Sequence, residues 1–99
     1  MSENNNEKRF VGPVMRRGDV GDAVLDAIRE DNEDKEVVVE EHASYMRIKV
    51  RGECLVRFET VSDMLGSAVS RGEIESNMPS FEGFIRVEGD QMLFLAETK

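Results

Sequence analysis

Cysteine, histidine and proline are scarce in this 99-residue chain, which holds one, one and two of them. The lone Cys54 cannot close an internal disulfide, and no Cys-x-x-Cys or His-x-x-x-His spacing offers a metal site. A reducing, cytoplasmic setting fits that usage. Gly-rich phosphate loops, nucleophile elbows and paired-acid constellations are also missing, so any catalytic reading rests on His42 alone. No apolar run approaches the roughly 20 residues of a membrane span. The first residues, Met1 to Glu7, are Asn- and Glu-rich rather than basic and then apolar, which is not the pattern of a signal or transit peptide.

Positive charge is in short supply too. Against 13 Lys and Arg stand 21 Asp and Glu, for a formal net charge of -8. Nucleic acid and anionic membrane surfaces would repel such a chain, because both are bound through clustered cations. Proteins with complementary positive patches are the partners this charge suits, although acidity also serves plain solubility. Hydrophobic residues make up 39%, enough for a folded core. A chain of this size forms one domain at most, with no room for a large substrate cavity.

The polar, aperiodic residues 1–9 read as a flexible tail, and the domain is expected over 10–99. Phe10 to Met15 is apolar but carries Pro13, which predicts an edge strand or extended arm. Asp19, with Asp22 three positions on, predicts the cap of a helix whose buried face is Val20, Ala23, Val24, Ala27 and Ile28. That helix should fade near Asn32 in a solvated acidic run, Glu30 to Asp34, which lacks the Gly and distal Glu of a calcium loop.

Three strand-like runs follow: Val37 to Val39, Tyr45 to Val50 and Cys54 to Phe58. In the second, Met46, Ile48 and Val50 share one face. The short turn Arg51-Gly52-Glu53 predicts a hairpin between the last two. Thr60 and Asp63 predict the cap of a second helix with a stripe of Val61, Met64, Leu65 and Ala68, and Ser70 with Glu73 a further helical turn. Asn77 to Ser80 breaks regular structure, and Phe84–Glu88 and Gln91–Leu95 close the chain as a hairpin through Gly89-Asp90. The order amounts to an α+β fold of two βαββ-like units, with antiparallel sheets and two to three helices packed over them.

His42 lies among Glu40, Glu41 and Ala43, where a carboxylate would orient it as a general base, yet no Ser or Cys is placed near it in sequence to be activated. An exposed turn is the plainer account. Cys54 shares a strand face with Val56 and Phe58, as a core residue would. Met46, Met64 and Met92 fall on apolar stripes and read as core. Met78 falls in the break before Ser80, Phe81 and Gly83, where loops often carry recognition.

Two blocks stand out: Val37-Val38-Val39-Glu40-Glu41 leading into Tyr45-Met46-Arg47-Ile48-Lys49 and Gly52, and Glu59-Thr60-Val61-Ser62-Asp63-Met64-Leu65-Gly66. Together they resemble the effector, or coupling, proteins of soluble multicomponent diiron monooxygenases. Val11 to Asp19 is similar to the start of the four-component toluene and alkene branch. The resemblance implies a cofactor-free, non-catalytic protein that binds the diiron oxygenase (hydroxylase) component near its active site. There it would tune substrate and oxygen access and couple electron transfer to hydroxylation or epoxidation. A ferredoxin and a reductase would complete the system. The resemblance also places Asn77, Met78, Pro79, Ser80, Phe81 and Gly83 against the oxygenase, with Pro79 standing where the pattern carries a small residue. A small-molecule-sensing βαββ module and a His42-dependent isomerase or hydrolase are the alternatives, and neither accounts for these blocks.

Overall fold

The computed structural model of the chain describes residues 9–97. The tail expected over residues 1–9 thus lies, except for Arg9, outside the described residues. Strand β1 (Phe10–Arg16), helix α1 (Asp19–Asp31) and strands β2 (Val37–Glu41) and β3 (Tyr45–Arg51) form one βαββ unit. The second is built from β4 (Glu53–Arg57), helices α2 (Phe58–Leu65) and α3 (Arg71–Ser76), and the hairpin β6 (Phe84–Glu88) and β7 (Gln91–Leu95), with a three-residue strand β5 (Ser80–Glu82) inserted before the hairpin.

Two antiparallel sheets result, ordered β2-β3-β1-β5 and β4-β7-β6. Each unit sets its first strand beside its last, so β2-β3-β1 in one sheet corresponds to β6-β7-β4 in the other. The expected α+β architecture of two βαββ units is therefore the observed one, with three helices. Period-two alternation explains how both sheets serve one core. Met46, Ile48 and Val50 from β3, Cys54 and Val56 from β4, and Met92 and Phe94 from β7 are all buried there, together with Ala23, Val24, Ala27 and Ile28 of α1.

Several local expectations are corrected. Strand β1 is internal rather than an edge, flanked by β3 and β5. The sheet tolerates Pro13 because the β1–β3 register skips Gly12 and Pro13, and it is there that β5 pairs instead, Pro13 opposite Phe81. No hairpin joins β3 and β4, which lie in different sheets. At Gly52 the chain crosses between them, held by Gly52 N–H donating to Arg9 O (2.8 Å) and Ala96 N–H donating to Gly52 O (3.0 Å). Both strands then send their apolar faces to the shared core, which a flat hairpin would not require.

The helix starts also differ. Gly18, not Asp19, occupies the N-cap of α1, and α2 begins at Phe58, two residues before Thr60. Neither has a side-chain cap of its own. Only the Ser70–Glu73 capping box forms as expected, with both reciprocal bonds at 3.1 Å. Helix α2 stops at Gly66, so Ala68 falls outside it and is exposed, as is Met64. Val69 takes the buried place instead.

At the end of α1 Glu30, Glu33 and Asp34 are exposed, as expected of a solvated terminus, but Asp31 and Asn32 form a clamp. Asp31 accepts hydrogen bonds from Arg57 N–H (2.9 Å) and Thr60 Oγ1 (2.9 Å), which supplies an acceptor and a negative charge to the start of α2. Asn32 is buried, donating from Nδ2 to Ile28 O (2.8 Å) and Leu55 O (2.9 Å) and accepting Leu55 N–H at Oδ1 (3.0 Å). Its amide thus pairs with the edge of β4 as a neighbouring strand would. Asn32→Ala strands both Leu55 backbone groups and should lower stability by about 2–3 kcal/mol. Urea denaturation checks this, and a midpoint equal to wild type would dismiss the clamp.

Candidate functional site

Residues Asn77 to Gly83 connect α3 to the last hairpin, and the fold holds them firmly. Asn77 ends α3: its N–H donates to Ile74 O (3.1 Å), its Nδ2 to Glu73 O (2.9 Å), and its carbonyl accepts Arg16 N–H (2.8 Å). The amide side chain is therefore committed to the helix end. Met78 is half-buried against the core, its N–H donating to Glu75 O (3.1 Å). Pro79 and Ser80 are exposed.

The break expected over Asn77 to Ser80 is present at Asn77, Met78 and Pro79, but Ser80 to Glu82 forms β5 and pairs with β1 in the register Gly12–Glu82, Pro13–Phe81 and Val14–Ser80. Phe81 leans on the buried Phe94, ring centroids 5.8 Å apart and tilted by 54°, while 38% of its surface stays open. It is neither a sealed core residue nor a loose one. Gly83, at φ 101°, then turns the chain from the edge of one sheet to the edge of the other. A Cβ there would stand 2.7 Å from both Leu95 O and Val11 Cγ1, closer than side chains tolerate. The segment presents Phe81, Ser80 and Pro79 outward, while Asn77, Met78 and Gly83 hold it in place.

An ion-pair row crosses the outer face of the four-stranded sheet. Lys49 Nζ donates to Glu40 Oε2 at 2.7 Å, and Arg47 lies 3.8 Å from Glu40 on β2 and 3.7 Å from Glu82 on β5. The hydrogen bond from Lys49, and then its charge, hold the Glu40 carboxyl below its ordinary value. A depressed carboxylate contributes stability at neutral pH and loses it as pH falls through the lowered value. The pair is exposed, so the contribution is small. Lys49→Ala should move the Glu40 titration back up toward the ordinary carboxylate range, followed by carboxyl-carbon NMR; a titration unchanged by the substitution would refute the assignment.

His42, weighed as a general base, and Cys54, read as a core residue, stand in opposite surroundings. His42 is exposed in the β2–β3 turn, stacked on Tyr45 (centroids 4.4 Å, 16° between planes), with Nε2 3.8 Å from Glu40 Oε1. Cys54 is fully buried, and desolvation pushes its thiol up to about 12, far from a reactive thiolate. Among the described residues, no group of three or more His, Cys, Asp or Glu is placed to hold a metal ion, and no helix is long and apolar enough to cross a membrane.

Sequence reasoning passed over Phe84 and Ile85, which are 46% and 36% exposed at the start of β6. The signal was available. Adjacent apolar residues in a strand point to opposite faces, so one of the two must leave the core.

Known proteins share this arrangement. An alkene monooxygenase system effector subunit from Xanthobacter autotrophicus is 37% identical over 86 residues, covering 87% of this chain and 85% of its own. Among solved structures, the regulatory protein fold recurs in a phenol hydroxylase–regulatory protein complex with a TM-score of 0.73 at 20% identity, covering 87% of this chain and 95% of that one. The soluble methane monooxygenase regulatory protein B superposes with a TM-score of 0.65 at 22% identity, over 98% of this chain and 69% of that one. The sequence pattern of the MmoB/DmpM family matches residues 9–95, from the start of β1 to the end of β7. Both βαββ units and the segment between them fall within that match, and the chain belongs to the MmoB/DmpM family.

Proposed function

We propose that this chain is the non-catalytic effector subunit of a multicomponent diiron monooxygenase in the cytoplasm, docking on the oxygenase component through the segment Asn77 to Gly83. The observation that carries the proposal is the 37% identity, over most of both chains, to a protein named as the effector subunit of an alkene monooxygenase system. The fold supports it, since two phenol hydroxylase–regulatory protein complexes share it. Function then follows from docking. A rigid domain shifts its partner's equilibrium only by binding one of the partner's states better than another. A coupling free energy of about 1–3 kcal/mol changes that balance by 5- to 150-fold.

Phe81 and Ser80 face the oxygenase, with Pro79 beside them, while Asn77, Met78 and Gly83 fix the geometry of the contact. Ferredoxin and reductase deliver electrons to the same assembly. Reconstitution tests this: oxygenase, ferredoxin and reductase are assayed with and without the chain for product formed per electron consumed. Saturable stimulation near one chain per active site is expected. A chain that leaves both rate and coupling unchanged sinks the proposal.

A further inference from the structure

Four large apolar side chains are more than a third exposed among the described residues, and three of them, Phe81, Phe84 and Ile85, fall within five consecutive positions. Isolated exposed apolar residues need no explanation, whereas a cluster does. Phe81 and Ile85 flank the same buried ring: Phe81 stacks obliquely on Phe94, and Ile85 sits directly opposite Phe94 in the β6–β7 register. Phe84 projects from the other face of β6, opposite Leu95. Strand β6 is itself the edge of its sheet, with no strand beyond it among the described residues. The start of β6 is thus apolar on both faces and open along its side.

Nearby charges leave this apolar surface dominant, because Glu82 is paired with Arg47 and Glu88 with Arg86 (3.0 Å). The cluster is continuous with the docking segment across the single residue Gly83. From this we infer that the surface bound by the oxygenase component continues past Gly83 onto β6, with Phe84 and Ile85 as binding residues beside Phe81. The occupant is an apolar patch of the oxygenase rimmed by Lys or Arg, the charge that complements a chain of net -8. A second copy of this chain is the poorer fit, since two such charges repel. The inference rests on the functional reading above.

The test is titration of the oxygenase component with wild type, Phe84→Ser and Ile85→Ser, alongside urea denaturation and sedimentation of each free chain. Each variant should bind at least tenfold more weakly than wild type while remaining a folded monomer. Because Ile85→Ser risks the fold, amide exchange of wild type supplies a second readout: Phe84–Glu88 should gain protection on adding the oxygenase. Variants that bind as wild type does, or a β6 whose exchange is unchanged in the complex, overturn the inference and leave the functional reading standing. A wild-type dimer dissociated by Phe84→Ser assigns the patch to a second copy and also overturns it. A wild type that leaves the oxygenase unbound overturns the functional reading itself, and this inference with it.

Discussion

Gly12→Ala should leave little folded protein. Gly12 holds φ 148° in the middle of β1, where a Cβ would be driven into the carbonyl of Ile48 on the neighbouring strand. The obstacle is backbone, so no rotamer change relieves it. Strained φ costs about 1–3 kcal/mol, and overpacking against a fixed neighbour costs about 1–3 kcal/mol more. The sum, roughly 2–6 kcal/mol, reaches at its upper end the whole stability of a small domain. Circular dichroism and urea denaturation decide the matter. A variant as stable as wild type would mean that β1 and β3 do not pack this closely.

Phe81→Ala should instead separate binding from folding. With 38% of its surface open and one ring contact to Phe94, Phe81 gives the fold about 1 kcal/mol beyond simple burial. Fully buried phenylalanines cost about 3–5 kcal/mol when truncated. An aromatic anchor at an interface costs about 1–4 kcal/mol in affinity. The expected result is therefore a folded variant, modestly destabilised, whose binding to the oxygenase falls several-fold to several hundred-fold. Normal affinity together with a large loss of stability would assign Phe81 to the core, and Ser80 and Pro79 would then carry the contact.

Local chemistry was legible wherever it depended on neighbours in sequence. The i, i+3, i+4 spacing of Ala23, Val24, Ala27 and Ile28 marked the buried face of α1, and the alternation of Met46, Ile48 and Val50 marked that of β3. The Ser70–Glu73 capping box was legible for the same reason, because both of its bonds close within four residues. Caps supplied from a distance were not. Thr60 and Asp63 carried the right spacing for a cap, but Asp31, 26 residues before Arg57, provides the acceptor.

The proposed docking segment shows the same division. Its position between two recognisable elements, and the scarcity of any catalytic set, could be read from the chain alone. That Ser80 to Glu82 would add to β1 could not, because strand pairing joins residues almost 70 positions apart and three residues hold too little periodicity to announce a strand. The exposure of Phe81 follows from that pairing, since a residue on a short edge strand meets the core from one side only.

By itself, then, the sequence determined the types and order of every element but β5, the apolar faces of α1 and β3, and the acidic, metal-poor character that points to a protein partner. Each depends on composition or on spacings of a few residues. Tertiary structure alone decided that β3 and β4 part into two sheets at Gly52, that Asn32 closes the edge of β4, and that Phe81, Phe84 and Ile85 are left exposed on the edge strands β5 and β6. Those outcomes depend on which distant backbone groups satisfy one another's hydrogen bonds, and local propensity carries no information about that choice.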